Sequence, residues 1–240
     1  MTKSLPGALI ILSLFMALGL TLGGYFISQT LYVSKVAINT AESKGLAERQ
    51  VKADRADWIV SFSVEGKTEE EVPTLYRKAE TDQKTIAALL VEEGFADDEI
   101  KMGILEYGSK EFRDENQNLV DQQFHVSGSV EVGTNKVDLV EPARTAVSRL
   151  ITEGIIVRTG RPAYSFTGLN DIKPEMLKEA TENARIAANK FAEDAGVKVG
   201  GIRSALQGRF EIKDAGGTSS TSKVDKDVRV ITTIVFYLID

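Results

Sequence analysis

Between Lys3 and Lys35 no side chain carries a charge, and residues 5–27 are almost wholly apolar. An α-helix needs about 20 apolar residues to cross the hydrocarbon core of a bilayer. This segment therefore places the chain at a membrane before any other residue is considered. Lys3 precedes it and no charge comes after it until Lys35, so the positive-inside tendency keeps the N-terminus in the cytoplasm and exports the chain beyond residue 33. The expected arrangement is an uncleaved signal-anchor over residues 1–33, seated in the membrane through residues 5–27. The alternative is a soluble exported protein after cleavage of a secretory signal. Such signals have an apolar stretch of about 7–15 residues and a small-x-small site. Here the stretch is longer, and Thr21-Leu22-Gly23 is the best site on offer. Tyr25 and Tyr32 suit an interfacial aromatic belt. Gly19 and Gly23 have the spacing that lets two such helices approach closely.

The first 35 residues hold two of the 29 basic residues and none of the 35 acidic ones, so the remainder carries 27 minus 35, or −8 formal charges. An acidic body of this kind repels nucleic acid and anionic lipid, and neither is expected as a partner. The chain has no cysteine. Disulfides, thiolate metal sites and cysteine nucleophiles are thereby excluded, even though an oxidising compartment would permit disulfides.

Residues 34–43 read as a short tether. Beyond them the period of the apolar pattern switches repeatedly. Trp58, Val60, Phe62 and Val64 share one face of a strand, with a partner strand over 45–53. A helix is predicted over 69–93, with Val72, Leu75, Tyr76, Ala79, Ile86, Leu89 and Leu90 on one stripe. Strands over 99–112 and 119–132 flank Arg-Asp-Glu-Asn-Gln-Asn at 113–118, which has hairpin-loop chemistry. In the second of these, Phe124, Val126, Val130 and Val132 face one way. Gln123, His125, Ser127, Ser129 and Glu131 face the other, toward water or a polar contact.

A helix over 135–153 is expected to bury Leu139, Val140, Ala143, Val147, Leu150 and Ile151. A strand over 155–167 is broken near Gly160 and Pro162. The helix over 173–195 has Pro174 in its first turn and a stripe of Leu177, Ala180, Ala184, Ala187, Ala188, Phe191 and Ala195. That thin face suits close approach to a sheet. Strands over 198–211 and 224–239 close the chain, separated by a loop at 214–222 that is flexible by composition. The three helices end alike, at Gly94-Phe95, Gly154-Ile155 and Gly196-Val197. Glycine there supplies a left-handed cap, and the apolar residue after it packs back on the last turn. The pattern implies an α+β fold with helices on one side of an antiparallel or mixed sheet. No Pro/Gly-rich linker divides residues 44–240, so one ectodomain is expected.

The run Gly45-Leu46-Ala47-Glu48-Arg49-Gln50-Val51-Lys52-Ala53-Asp54, followed by Trp58-Ile59-Val60-Ser61-Phe62-Ser63-Val64-Glu65, resembles the opening of the SIMPL-domain family. The helix from Glu179 to Ala188 and its exit at Ala195-Gly196-Val197-Lys198-Val199-Gly200 resemble that family's third helix. The resemblance covers residues 44–239 in order. It implies an α+β fold, a bacterial exported location, self-association into ring-like homo-oligomers and a link to oxidative-stress tolerance. It implies no catalytic residue. Two features depart from the family. Its Gly-Glu-Gly-like opening is here Gly45 followed by Leu46-Ala47-Glu48, and the expected anchor contrasts with its many cleaved members.

No catalytic, cofactor-binding or metal-binding residue is assigned, and no cofactor is expected. His125 is the chain's one histidine, so a metal site or a Ser/His/Asp arrangement would have to use it; a solvated strand position explains it as well. Asp114, Asn116 and Asn118 start like a calcium loop, but the sixth position is Leu119 and the twelfth His125. Glu69-Glu70-Glu71 opens a helix, where negative charge suits the dipole, and Asp97-Asp98-Glu99 falls in a turn. Gly200-Gly201 and Gly216-Gly217 lack phosphate-cradle spacing.

The last strand is apolar on both faces. Val230, Thr232, Ile234, Phe236 and Leu238 line one, and Ile231, Val235, Tyr237 and Ile239 the other. Such a strand needs cover on both sides, from the domain's own layers or from a second copy. Three functional classes remain open. One is a membrane-anchored, self-associating, non-enzymatic envelope protein. Another is a binding module using the 113–118 and 214–222 loops for a small ligand or an envelope protein partner. The third, an enzyme of hydrolase or peroxidase type, is poorly served by a chain with no cysteine and one histidine.

Overall fold

In the computed structural model, which describes residues 5–35 and 39–239, the charge-free segment forms a single helix, α1 (Leu5–Lys35). Leu9–Tyr32 is long and apolar enough to cross a membrane, and none of it is buried against the rest of the chain. Lys3 and residues 36–38 of the expected tether lie outside the described residues. The tether is shorter than expected, because α1 takes Ser34 and Lys35 while β1 (Thr40–Lys52) begins at Thr40.

After β1 come β2 (Arg55–Gly66), α2 (Val72–Glu92), β3 (Ile100–Met102), β4 (Glu106–Arg113), β5 (Leu119–Thr134), α3 (Val140–Arg149), β6 (Val157–Thr159), β7 (Ala163–Ser165), α4 (Leu169–Asp194), β8 (Lys198–Gln207), β9 (Glu211–Asp214) and β10 (Asp225–Ile239). The fold is α+β, with two sheets. One has the order β3-β5-β2-β6, with β4 also on β5 and β7 also on β2; the other has the order β1-β10-β8, with β9 also on β10. The chain divides into two compact units: Met1–Ala47, Leu177–Arg209 and Val230–Asp240 form the first, Glu48–Met176 and Phe210–Arg229 the second.

The second unit is built on the antiparallel pair β2/β5. Trp58 stands opposite Val132, Val60 opposite Val130 and Val64 opposite Val126, and all six side chains are buried. Phe62 faces Gly128, where a Cβ would come within 2.6 Å of its ring; the glycine leaves room for the aromatic. Ile86 and Leu90 of α2, and Val140 and Val147 of α3, complete this core. Burying such a side chain contributes about 1.5–3 kcal/mol.

In the first unit, α4 lies against its sheet along an i, i+4 line of small side chains. Ala180, Ala184, Ala188 and Ala192 are buried, and Ala184 and Ala188 cluster with Ile234 and Phe236 of β10. The approach is close enough that a Cβ on Gly45 would collide with the Ala180 carbonyl oxygen. Polar groups of β1 finish the contact: Ser43 Oγ donates to the Ala184 carbonyl at 2.5 Å, and the Leu46 carbonyl accepts from Asn183 Nδ2 at 2.7 Å.

Several expected boundaries move. Helix α4 starts at Leu169, so Pro174 lies inside it. Its face rotates as well: Phe191 and Ala195 are exposed, while Met176 and Ala192 are buried. The expected stripe mixes i+3 and i+4 steps, whereas the packed one keeps to i+4. The segment 137–153 is a short α-helix between 3-10 turns, which leaves Ile151 exposed. Tyr76 is exposed, and Asp82 and Gln83 are buried in its stead. The strand expected over 99–112 breaks at residues 103–105, and that over 198–211 at residues 208–210.

The three glycine exits match the expectation. Gly94, Gly154 and Gly196 have φ of 102°, 83° and 72°. The N–H groups of Phe95, Ile155 and Val197 donate to the carbonyls of Leu90, Leu150 and Ala192 at 3.2, 3.1 and 2.9 Å. This is the 6→1 bond of a Schellman cap.

Candidate functional surfaces

Asp114, Glu71 and Glu99 hold local structure, and His125 lies on an open strand face. The Asp114 carboxylate accepts from the Asn116 and Asn118 N–H groups, both at 2.8 Å, and from Asn118 Nδ2 at 3.1 Å. These donors hold its pKa below the ordinary carboxylate value, the Asn118 side chain most strongly. The Asp-x-Asn-x-Asn pattern is thus a hairpin turn closed on itself, with Gln117 at φ 65°. Among the described residues, no group of three or more His, Asp or Glu side chains is placed to share a metal ion.

His125 is half-buried on the solvent side of β5, opposite Gly108. A Cβ on Gly108 would sit 2.7 Å from the imidazole, so the ring lies over bare backbone. Among the described residues no hydrogen bond joins it to Ser127.

Glu71 accepts from the Lys67 N–H at 2.9 Å and helps to open the helix. Glu99 is a structural hub. Its carboxylate accepts from the Ala96 N–H at 2.8 Å, Thr134 Oγ1 at 2.6 Å and Lys136 Nζ at 2.9 Å. The Ala96 N–H is the largest of the influences that hold its pKa down at about 2.

The 214–222 loop departs from the expectation of flexibility. Lys226 and Asp214 face each other across β9/β10, and both are buried. Lys226 Nζ donates to Asp214 Oδ1 at 2.5 Å and to the Ser220 carbonyl at 3.0 Å. The Ser222 N–H donates to the other Asp214 oxygen at 2.8 Å. Burial alone would raise the Asp214 pKa. The Lys226 ammonium, the Ser222 and Lys223 N–H groups and the Ser219 hydroxyl overcome it and bring the value down to about 2. The loop continues into the fold through Tyr164 N–H to the Thr221 carbonyl at 2.8 Å and Ala53 N–H to the Val224 carbonyl at 2.7 Å. A serine-rich composition reads as flexible; a buried ion pair fixes it. The missed signal is parity, because Lys226 shares the buried face of β10 with Val228 and Val230.

Gln83 also lies outside the expected stripe, although it comes four residues after buried Ala79. Its amide donates to the Gly103 and Ser129 carbonyls at 2.8 and 2.9 Å. These bonds support the chain where it breaks between β3 and β4.

Among the described residues, two further open surfaces bear on function. In the second unit, Ser61 pairs with Ser129 and Ser63 with Ser127 on the solvent side of β2/β5. Ser61, Ser127 and Ser129, with Lys101, Glu106 and Glu131, line a groove of about 570 Å³. In the first unit, the face of the sheet opposite α4 presents Leu46, Leu206, Ile231, Tyr237 and Ile239, all exposed. Strand β10 is therefore central in its sheet but covered on one face only.

The SIMPL family, described as a protein family of unknown function (DUF541), matches residues 42–229. The chain belongs to this family. No curated protein matches it.

Among solved structures, the chain is similar at 12% identity and a TM-score of 0.24 to one described as "a putative amidohydrolase/peptidase from Burkholderia cenocepacia", with 60% of this chain and 36% of that one covered. A second, "a putative aminohydrolase from methicillin resistant Staphylococcus aureus", gives 12% identity, a TM-score of 0.23 and coverages of 59% and 39%. The chain thus spans under half the length of either. The regulatory subunit of aspartate kinase from Thermus thermophilus gives 15% identity, a TM-score of 0.16 and coverages of 82% and 89%. Similarity this slight carries no argument about activity.

Proposed function

We propose that this SIMPL-family member is a single-pass protein of a bacterial cytoplasmic membrane, with residues 44–240 in the periplasm. It acts there without catalysis, as a self-associating envelope protein that supports tolerance of oxidative stress. The observation that carries the reading is α1: an apolar helix for which the chain provides no covering surface. In water such a surface would drive aggregation, whereas hydrocarbon solvates it. Self-association is supported by the uncovered apolar face of the first unit's sheet, where Leu46, Leu206 and Ile231 stand exposed. Asp114, whose carboxylate is taken up by its own turn, supports a non-enzymatic role.

Size-exclusion chromatography with light scattering on the detergent-solubilised full chain tests self-association. A discrete oligomer is expected, and a monomer at all concentrations contradicts it. A second reading, a binding module, is favoured by the groove over Ser61, Ser127 and Ser129. Ligand-dependent shifts in that groove's amide signals, with the protein monomeric, would select it.

A further inference from the structure

The link between the anchor helix and the first unit's sheet is very short. Helix α1 ends at Lys35, and the Asn39 carbonyl already accepts from the Leu238 N–H at 2.8 Å. From Tyr32, where the apolar span ends, to Asn39 the chain reaches at most roughly 18 Å. The headgroup layer is itself about 5–7 Å deep. The end of β10 is therefore held beside the membrane surface by covalent connection alone.

The side chains gathered at that end are amphipathic. Lys198 opens β8 directly opposite Ile239, and the Val197 N–H at the exit of α4 donates to the Ala192 carbonyl at 2.9 Å. The end of β10, the start of β8 and the C-terminus of α4 thus lie together. Phe191 of α4 is 64% exposed there, and on the other face of the sheet Ile239 is 52% and Tyr237 38% exposed. The ion pair of Lys190 with Glu193, at 3.1 Å, stands beside Phe191, with Asp194 and Lys198 nearby in sequence. Lys190 and Lys198 stand against Glu193, Asp194 and, next after Ile239 in sequence, Asp240, so charge gives no attraction to an anionic surface and apolar and aromatic contact decides the affinity. Aromatic rings with a polar handle favour the interfacial zone of a bilayer.

We propose that this end of the first unit, with Phe191, Tyr237 and Ile239 as its contacts, rests in the interfacial layer of the membrane that α1 crosses. The proposal depends on the anchored reading given above. The occupant is zwitterionic lipid rather than anionic lipid, because the −8 charge of the exported part opposes an acidic surface. A tether this short also gives the contact a high effective concentration, so a modest apolar patch suffices.

The absence of cysteine permits a direct test on the full chain in phosphatidylcholine nanodiscs. Single variants Phe191→Cys, Ile239→Cys, Leu206→Cys and Leu18→Cys each carry an environment-sensitive fluorophore. The native positions are exposed, so none of the four removes a core contact. Leu206 lies near the other end of β8, roughly 26 Å from Lys198 at the rise of a strand. Headgroup nitroxides are expected to quench most of the emission at positions 191 and 239, equally at low and high salt. Position 206 should remain bright, and acyl-chain nitroxides should quench position 18. Emission at 191 and 239 as bright as at 206, with 18 quenched, would overturn the proposal while leaving the anchor in place. An unquenched position 18 would overturn the anchored reading and the proposal together. Energy transfer between copies at position 191 without lipid quenching would assign the patch to a second copy, again against the proposal.

Discussion

At the scale of single residues, the strongest constraint is Gly45. Its missing side chain permits α4 to approach until the Ala180 carbonyl occupies the space where a Cβ would be. Gly45→Ala must separate helix from strand and should cost at least about 1–3 kcal/mol, as overpacking does. Thermal unfolding of the variant measures this; an unchanged midpoint would contradict the packing. The second constraint is the buried pair Lys226–Asp214. Lys226→Met strands a buried carboxylate and should cost about 3–5 kcal/mol, whereas Lys226→Met combined with Asp214→Leu should recover most of that loss. Denaturant unfolding of the single and double variants checks the pattern.

The same residues set the acid response. Asp214 and Glu99 both have folded pKa values near 2, below their ordinary 3.8 and 4.5. A carboxylate lowered in the folded state binds its proton more readily when unfolded. Its stabilisation is therefore present above the ordinary pKa and is lost as pH falls through the folded one. Unfolding midpoints should decline between about pH 4.5 and pH 2, and Glu99→Gln should flatten the upper part of that decline.

At the scale of elements, the break between β3 and β4 is supported by Gln83, whose amide donates to the Gly103 carbonyl and, beside the Gly103 N–H, to the Ser129 carbonyl. Gln83→Leu keeps the volume but takes this donor from the Gly103 carbonyl, at about 1–3 kcal/mol for a buried polar group, while the Ser129 carbonyl keeps the Gly103 N–H. Hydrogen exchange should accelerate first at residues 103–105, next to the site of the change. Elements are legible in the sequence where period and cap chemistry agree. Strands β2 and β5 alternate cleanly, and the three Gly exits name the helix ends. They are less legible where a polar residue takes a core position. Gln83, Asp82 and Lys226 are buried because a specific partner meets each of them, which hydropathy does not register. Long strands are overdrawn at 103–105 and 208–210, because apolar content continues through a break in pairing. The sequence names the candidate residues but not their partners: Asp114 holds its own turn, and Glu99 ties the stretch from Ala96 to Lys136 together. The groove over Ser61 and Ser129 is visible in the sequence only as a polar face.

At the scale of the whole molecule, a chain of two chemistries emerges. A helix charged only at its last residue, Lys35, precedes a body of −8 formal charges, built from sheets in a chain without cysteine. Membership of the SIMPL family accounts for residues 42–229, and α1 lies ahead of that match. Retention of α1 in the bilayer is the claim on which the remaining proposals rest. The most direct measurement is the intact mass of the protein recovered from alkaline-carbonate-washed membranes. The full-length mass in the pellet is the expected result. A soluble product lacking the leading segment would contradict it.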